Sequence, residues 1–458
     1  MKIIYYLTKL LTNIFCRIYY KFDYQGLENI PKGKPVVLAP NHVNAFMDPV
    51  LIGMTIKREV RFFARGDVFK GAFSKWILNE LNISPVYRMS EGYSDVKKND
   101  KTAEECRQLL VNDKAIMMFP EGICIQERRL RPLKKGLSRI VFQTAASINF
   151  NKDMLVIPVG INYSNAKKFR SKAVLDFGTP ISILPFKESF EKDPVKTINE
   201  FTRVLEDKMK PHLVIIENPD NDNLVAAIEE LFLEQWIQSK NGNTRDLNQQ
   251  NKASQEIAEM VNTLSVQEPG NLQSLKQKTE NYLSILNKYQ LRDHLLKPES
   301  IDKMSFFSFL IECLSICLGM PLYGIALLLN HPPYYLAKRF SDKKIRNVEF
   351  YASVYCNLAM FIWLFYYGIQ LLIIGLVFHN WSVLAAYAIA VPVLGLFSNH
   401  FGVLRKKIFG SWRLMQLVRK DREVVTSLIN ERKLIIDALL EAKKNYANLS
   451  TLAHKTNS

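Results

Sequence analysis

Two apolar runs, residues 306–329 and 351–398, constrain the fold of this 458-residue chain more than any other feature. A run of about 20 apolar residues matches the roughly 30 Å hydrocarbon thickness of a bilayer. The second run divides at residues 379–380 into two such segments, which predicts a helical hairpin that spans twice. Glu312 would cost about 2.5–3.5 kcal/mol near the bilayer centre and Pro321 interrupts helical hydrogen bonding, so residues 306–329 are predicted to be re-entrant or interfacial.

Basic residues on both flanks of this hairpin predict its orientation, because cytoplasmic flanks carry an excess of Lys and Arg. Both ends of the hairpin, and all globular parts of the chain, are therefore expected on the cytoplasmic side. Three full spans would place one basic cluster outside. The clusters are Lys338, Arg339, Lys343, Lys344 and Arg346 before the hairpin, and Arg405, Lys406, Lys407 and Arg413 after it.

Both ends of the chain have the apolar spacing of amphipathic helices. Residues 1–22 predict a helix lying in a membrane surface, with a core helix docked on the following domain as the alternative. Charged residues interrupt the run and no small-residue cleavage site follows, so the segment is predicted to be retained. Residues 400–458 predict a C-terminal amphipathic helix that packs on the enzyme domain or dimerises. Asp421 and Arg432 on its apolar stripe disfavour a coiled coil.

The charge balance favours an anionic partner. Lys and Arg number 61 against 44 Asp and Glu, a net charge of +17. Such an excess suits a nucleic acid, an acidic lipid leaflet or a phosphorylated substrate. Six cysteines include no CxxC pair and no nearby histidine at zinc-ligand spacing, so neither a metal site nor a disulfide framework is predicted. No GxxxxGK[ST] or GxGxxG turn indicates a nucleotide, and no cofactor is predicted.

Short β-prone runs alternate with helical segments over residues 23–215, which predicts an α/β domain with a mostly parallel sheet flanked by helices. Residues 216–300 predict a helical insert or linker domain with a polar loop at 239–255, and no chemistry is assigned to it. The β-prone runs are 36–39, 60–65, 115–119, 155–161 and 174–181, with helices at 102–112 and 136–148 among them. The predicted division is 1–22, 23–215, 216–300, 301–399 and 400–458.

The stretch "APNHVNAFMDPVL", residues 39–51, contains the first candidate site. His42 follows the strand "VVLA", at the carboxyl end where α/β sheets build their sites. Asp48 followed by Pro49 indicates a helix start, with the carboxylate as a cap. A turn into that helix can fold His42 back towards Asp48, which would fix the imidazole tautomer and leave the other ring nitrogen as a general base. A structural loop also fits the pair taken alone.

Two later segments have the same character. "AIMMFPEG", residues 115–122, is a strand that runs into a Pro-Glu-Gly turn, and "ISPVYRMSEG" contains Arg88 after another strand-like run. The planar fork of arginine suits a phosphate. Residues 127–139 then contain six basic residues against one acidic residue.

In this ordered set of blocks the sequence resembles the phospholipid/glycerol acyltransferase family, which includes glycerol-3-phosphate and lysophosphatidic-acid acyltransferases. "NHVNAFMDP" matches the NHxxxxD block, "SPVYR" the second block, "FPEG" the third, and "VIPVGI" at 156–161 the fourth. The resemblance covers roughly residues 26–185. It implies transfer of an acyl group from a coenzyme A or carrier-protein thioester to a glycerophosphate hydroxyl, without an acyl-enzyme intermediate.

The resemblance makes His42 the base and Asp48 its orienter, with Arg88, Glu121 and Gly122 helping to bind the glycerol phosphate. A carboxylate repels phosphate, so Glu121 is expected to accept from a glycerol hydroxyl or to position a basic side chain. Lys134 and Lys135 are further candidates for phosphate or coenzyme A contacts, with a solvated basic face as the alternative. Cys124 stands where the family's commonest pattern has a small polar residue, and without an evident base partner no covalent route is predicted.

The expected protein is therefore an integral membrane acyltransferase of phospholipid biosynthesis with its catalytic domain on the cytoplasmic face. Its expected partners are membrane lipids, acyl-CoA or acyl-carrier protein, and glycerol 3-phosphate or lysophosphatidic acid. Lipid and phosphate explain the positive charge, so no nucleic acid is expected. Two alternatives stay open: an acyltransferase for another lyso-lipid such as an aminolipid, and a catalytically inactive membrane scaffold.

Overall fold

The computed structural model describes residues 3–86, 99–297 and 306–456. The chain divides into two compact units. The first comprises Met1–Ile215, Asn243–Gln255 and Ile345–Cys356, and the second comprises Ile216–Gly242, Glu256–Lys344 and Asn357–Ser458.

An eight-stranded sheet organises the first unit, in the order β1-β7-β6-β2-β5-β3-β4 with β8 paired to β6. All neighbours pair in parallel except β6–β7 and β6–β8, which are antiparallel. The predicted α/β class with a mostly parallel sheet is confirmed. The strands are β1 Lys21–Gln25, β2 Val36–Pro40, β3 Val60–Arg65, β4 Ile83–Val86, β5 Ala115–Met117, β6 Leu155–Tyr163, β7 Lys172–Phe177 and β8 Ile181–Ser182.

Helices flank this sheet and then dominate the rest of the chain. Those between the strands and directly after them are α1 Ile3–Tyr19, α2 Met47–Thr55, α3 Ala72–Glu80, α4 Asn99–Val111, α5 Gly136–Ser147, α6 Lys187–Lys192 and α7 Pro194–Met209. The later helices are α8 Asp222–Gln238, α9 Leu247–Gln267, α10 Pro269–Lys288, α11 Phe306–Lys344, α12 Val348–Phe378, α13 Trp381–Lys420 and α14 Arg422–Thr456.

Strand β2 lies inside the sheet, and its side chains alternate between two cores. Leu38 packs in the cluster that contains Met47 of α2 and the end of α1. Val37 packs on the opposite face with Phe142 of α5 and Phe201 of α7. With both faces covered, the carboxyl end of β2 is held rigidly, and the chain that follows it carries His42.

Helix α1 has two apolar faces. One face packs into the first unit through Tyr5, Cys16 and Tyr19, which are buried. The other face exposes the large apolar side chains Ile3, Leu7, Leu10 and Ile14. The helix therefore combines the docked face of a core helix with an exposed apolar stripe.

Two local predictions from the sequence are wrong, and at Pro321 the structure continues a helix through the proline. The polar loop expected at 239–255 is shorter, because α9 begins at Leu247, where the Asp246 carboxylate accepts from the Asn248 N–H at 2.8 Å. Pro321 does not end a helix, since α11 continues through it to Lys344. The C-terminal helix begins at Arg422, after Asp421, because that carboxylate accepts from the first turn of α14.

A buried ion pair holds α14 within the second unit. The Arg432 guanidinium donates to both carboxylate oxygens of Asp293, at 2.8 and 3.3 Å. Asp293 also accepts from the Tyr282 hydroxyl at 2.8 Å. This partner explains why a charged residue interrupts the apolar stripe of α14.

Candidate active site

The turn between β2 and α2 brings His42 and Asp48 together. His42 Nδ1 lies 2.9 Å from Asp48 Oδ2. Asp48 is fully buried in the first turn of α2, whose N-cap is Phe46 rather than Asp48. The expected cap is therefore wrong, because the carboxylate faces backwards and accepts from the Val43 and Asn44 N–H groups at 2.8 and 2.7 Å. The turn and the helix together fix the position of this carboxylate.

A fourth donor completes the surroundings of Asp48. The Tyr163 hydroxyl, at the end of β6, donates to Asp48 Oδ1 at 2.8 Å. Burial, followed by the nearby Asp48 charge, raises the pKa of Tyr163, so its hydroxyl keeps the proton that it donates. Oδ2 thus accepts three hydrogen bonds and Oδ1 accepts one. A buried carboxylate needs such donors to offset its lost hydration.

The His42 ring is oriented from two sides. It stacks on Phe119 with ring centroids 3.8 Å apart and an interplanar angle of 18°. Its Nδ1–H is directed at Asp48, which leaves the Nε2 lone pair available to a substrate proton. Among the described residues Nε2 has no hydrogen-bond partner, and the side chain is 16% exposed. The imidazole is therefore held and accessible, as a general base requires.

The Pro-Glu-Gly turn after β5 is joined to the histidine turn. Glu121, 4% exposed, accepts from the His42 backbone N–H at 2.9 Å. Burial raises the pKa of Glu121 to about 7, although the N–H groups of His42 and Arg131 favour the charged form. Gly122 has φ +71°, a left-handed conformation suited to glycine. Glu121, which follows the adjacent strand β5, thus helps to position the turn that carries His42.

The basic residues predicted to bind phosphate differ in how the structure places them around the Pro-Glu-Gly turn. The Lys134 N–H donates to the Pro120 carbonyl at 2.7 Å, and its Cγ lies 3.3 Å from where a Cβ on Gly122 would stand. Lys134 and Lys135 are exposed, and neither forms an ion pair within the described part of the chain. Arg131, by contrast, pairs with Glu127 at 2.6 Å. Arg88 lies outside the described residues.

Cys124 lies beside the catalytic pair. Its Sγ accepts from the Ala45 N–H at 3.1 Å. Burial, followed by the charge of Asp48, raises the pKa of Cys124 to about 12, which keeps the thiol protonated and unreactive as a nucleophile. Ligand atoms of His42, Asp48 and Cys124 lie within 4.8 Å of one another, so the three could approach a metal ion. Such an ion would compete with the hydrogen bonds that the Asp48 carboxylate already accepts.

Sequence reasoning missed Tyr163 and Phe119 as parts of this site. Phe119 begins the FPEG block and could have been proposed from that position. Tyr163 lies two residues beyond the fourth block on β6, with Val159 and Ile161 on the same face by strand alternation. Its partner Asp48 is 115 positions away in the sequence, and only the parallel pairing of β2 with β6 brings them together.

These residues place a buried carboxylate and an oriented imidazole at the carboxyl end of a mostly parallel sheet, with Lys134 packed beside Gly122. Residues 21–162 match the family model described as Acyltransferase. The chain therefore contains an acyltransferase-family domain, as the sequence blocks indicate.

Characterised relatives include the chloroplastic 1-acyl-sn-glycerol-3-phosphate acyltransferase BAT2 of Brassica napus, 27% identical over 145 residues, which cover 31% of this chain and 40% of that protein. Glycerol-3-phosphate O-acyltransferase 1 of Saccharomyces cerevisiae is 24% identical over 294 residues, 61% of this chain and 36% of that protein. The chain thus spans 40% or less of the length of these relatives. The solved 1-acyl-sn-glycerophosphate acyltransferase PlsC of Thermotoga maritima matches with 22% identity and a TM-score of 0.33, over 45% of this chain and 79% of that chain.

Proposed function

We propose that this protein is a membrane-bound O-acyltransferase that moves a fatty acyl group from acyl-CoA or acyl-carrier protein to glycerol 3-phosphate or lysophosphatidic acid. The observation that carries the proposal is the His42–Asp48 pair at 2.9 Å with His42 Nε2 free. The names of the relatives, which specify glycerol 3-phosphate or its 1-acyl derivative as acceptor, support the substrate class.

In the proposed reaction His42 Nε2 takes the proton of the acceptor hydroxyl as its oxygen attacks the thioester carbonyl. A C–O bond forms, the C–S bond breaks, and the proton passes from His42 to the departing thiolate. Asp48 stabilises the imidazolium that exists between these steps. No residue is acylated, which agrees with the protonated state of the Cys124 thiol.

The turn of residues 41–46, between β2 and α2, carries His42 and is called the catalytic turn below. The phosphate of the acceptor is proposed to bind the basic residues beside this turn. Lys134 lies against Gly122, and its ammonium group is exposed without an ionic partner among the described residues. Lys135 and Arg88 are the further proposed contacts. Glu121 is proposed to act through its bond to His42 rather than on phosphate, because a carboxylate and a phosphate repel each other.

Another lyso-lipid as acceptor would use the same proton transfer, so the site geometry does not favour it over a glycerophosphate. A membrane scaffold without catalysis is disfavoured by one observation. Four donors converge on Asp48 while Nε2 of the paired imidazole is left without a partner. A structural role would not require a free ring nitrogen.

The test is an acyl-transfer assay on the purified full chain. Acyl-CoA and acyl-carrier protein would each be combined with glycerol 3-phosphate, lysophosphatidic acid and a lyso-aminolipid, and lipid products would be separated by mass spectrometry. Product from either glycerophosphate is expected. If only the lyso-aminolipid is acylated, the proposed glycerophosphate acceptor is wrong. If no combination of donor and acceptor gives a product, the proposed activity is refuted.

Membrane attachment is proposed to involve α1 and the C-terminal helices. Three helices, α11, α12 and α13, are long and apolar enough to cross a membrane by length and composition. We propose that α12 and α13 form a two-span hairpin, that α11 is re-entrant, and that the catalytic domain faces the cytoplasm. Each exposed basic residue near an anionic leaflet contributes about 1 kcal/mol.

Contacts hold α11 antiparallel to α13. The Phe401 ring packs so closely on Gly319 that a Cβ there would lie 2.3 Å from a ring carbon. The Asn330 amide donates to the Val391 carbonyl at 3.1 Å. Residue numbers rise along α11 as they fall along α13, so this part of α11 is antiparallel to α13. The start of α11 therefore lies towards the end of α13 that carries the basic cluster.

A short connection joins α11 to α12, and α12 in turn pairs with α13. Helix α12 begins at Val348, with three residues between it and Lys344 at the end of α11, so the two termini are close. The Tyr387 hydroxyl of α13 donates to Gln370 of α12 at 2.8 Å, as in an antiparallel hairpin joined at residues 379–380.

A topology reporter distinguishes this arrangement from three spans. A reporter fused near residue 380 is expected outside, whereas reporters near residues 300 and 340 are expected inside. Opposite locations for the fusions at 300 and 340 would show that α11 spans and would refute the two-span proposal.

A further inference from the structure

The first turns of α12 pack against the catalytic turn, far beyond the matched acyltransferase region. Ser353 is completely buried. Its Oγ accepts from the Met47 N–H at 3.2 Å. The same oxygen lies 3.4 Å from the Asn44 carbonyl and 3.3 Å from Asn44 Oδ1, so its hydroxyl donates to Asn44. One side chain of α12 thus bonds to both ends of the turn between His42 and Asp48.

Asn44 connects this hydroxyl to the catalytic carboxylate. It is 1% exposed, and its backbone N–H donates to Asp48 Oδ2 at 2.7 Å. Its Nδ2 donates to the Tyr20 hydroxyl at 3.0 Å, and that hydroxyl donates to the Ala166 carbonyl at 2.6 Å. All polar groups in this buried network have partners, which favours one geometry over others.

Aromatic packing surrounds the network. Phe350 of α12 meets Phe46 of the catalytic turn edge-on, with ring centroids 5.8 Å apart. Two turns of α12 are therefore seated on the catalytic domain by hydrogen bonds and by apolar contacts. Tyr355 also meets Tyr19 at the end of α1, with centroids 5.8 Å apart.

We propose that Ser353 is a positioning residue for acyl transfer: it holds Asn44, and through it Asp48 and His42, in the productive geometry. The proposal rests on the proposed function of the His42–Asp48 pair. Small displacements of reacting groups can reduce rates strongly, so a turn held at both ends has a direct catalytic benefit. Ser353 bonds to Met47 and Asn44, and its proposed effect on Asp48 and His42 is transmitted through the turn.

Helix α12 carries Ser353 near its start and continues into the proposed membrane hairpin. Ser353 lies five residues after the start of α12, a helix long and apolar enough to span. The catalytic turn is thus bonded to the first turns of the proposed membrane hairpin.

The test compares variants of the purified full chain in the acyl-transfer assay. Ser353→Ala is expected to lower kcat about tenfold, the size of one well-placed buried hydrogen bond, with KM changed by less than about twofold. The matched control is Ser398→Ala on α13, whose hydroxyl bonds, among the residues that the structure describes, only to the Gly395 carbonyl of its own helix. This control is expected to keep the wild-type kcat. Ser353→Cys, which preserves the side-chain volume, provides the same comparison if the alanine variant is not recovered folded.

A double-mutant cycle with Asn44→Ala separates positioning from general destabilisation. If Ser353 acts through Asn44, the double variant should lose little more kcat than Asn44→Ala alone. Losses that multiply independently, a Ser353→Ala kcat equal to that of the control, or a change confined to KM would each overturn the proposal. A wild-type chain inactive with every acceptor would instead refute the proposed function, and the inference would fall with it.

Discussion

Replacing Asp48 by Asn should remove the negative charge of the catalytic pair while preserving its hydrogen-bond geometry. Two of the donors to Asp48 Oδ2, the Val43 and Asn44 backbone N–H groups, cannot become acceptors, so the amide oxygen of Asn must occupy that position beside His42 Nδ1. The amide nitrogen then faces the Tyr163 hydroxyl, which can rotate and accept. His42 Nδ1–H keeps an oxygen partner, and the tautomer does not change.

The expected loss of activity follows from the charge alone. An imidazolium and a carboxylate about 4 Å apart attract by roughly 4 kcal/mol at an effective dielectric constant of 20. Because His42 is neutral before proton transfer and positive after it, this attraction acts mainly on the transition state. Its loss should lower kcat by about 10³-fold, at 1.36 kcal/mol for each factor of ten.

The assay is steady-state release of the donor thiol by purified Asp48→Asn, with thermal unfolding measured on the same samples. Asp67→Asn provides a surface control, because Asp67 is exposed and pairs only with Arg65 in the described residues. This control should retain full activity. A folded Asp48→Asn variant within tenfold of the wild-type kcat would refute the role given to the charge, and an unfolded one would refute the geometric argument.

Three further predictions concern residues around the pair. Glu121 has its pKa raised from 4.5 to about 7, so the folded chain holds a proton that the unfolded chain loses, and stability falls as pH rises from about 4.5 to 7. Glu121→Gln should reduce the difference in unfolding free energy between pH 5 and pH 8 by up to about 3 kcal/mol, and an unchanged difference would contradict this origin. Lys134→Ala should raise KM for a phosphorylated acceptor at least about tenfold and leave KM for the acyl donor unchanged. If the acceptor KM of this variant equals that of the wild-type chain, Lys134 does not contact the phosphate. Gly160→Ala would place a Cβ 1.9 Å from the His212 carbonyl oxygen and should destabilise the chain by about 3 kcal/mol, whereas Gly136→Ala, with open space around it, should not; similar melting temperatures for both would contradict the packing.

The pairing of His42 with Asp48 could be predicted because it is local. Six positions separate the two residues, and the apolar strand before them and the proline after Asp48 confine the turn between them. The cap assigned to Asp48 was wrong for a reason that the sequence does not contain. The carboxylate faces Val43 and Asn44 instead of the first free amides of α2, because the turn folds back over the helix start.

Long-range partners could not be predicted from residue types. Tyr163 reaches Asp48 through the register of β2 with β6, and Ser353 reaches Asn44 across 309 positions. Nothing in the sequence around Tyr163 or Ser353 indicates which distant residue its hydroxyl will bond to. The start of α9 was missed for a related reason: polar composition indicates a loop, but an Asp246 cap and tertiary packing stabilise a helix there.

The central claim is that His42 Nε2 accepts the proton of the acceptor hydroxyl, and the turnover of full-length His42→Ala tests it most directly. The variant should remain folded and membrane-associated, because His42 is partly exposed and its backbone N–H can still donate to Glu121. The account predicts a loss of about 10²–10⁴-fold in kcat with either glycerophosphate acceptor. Turnover close to that of the wild-type chain would contradict it.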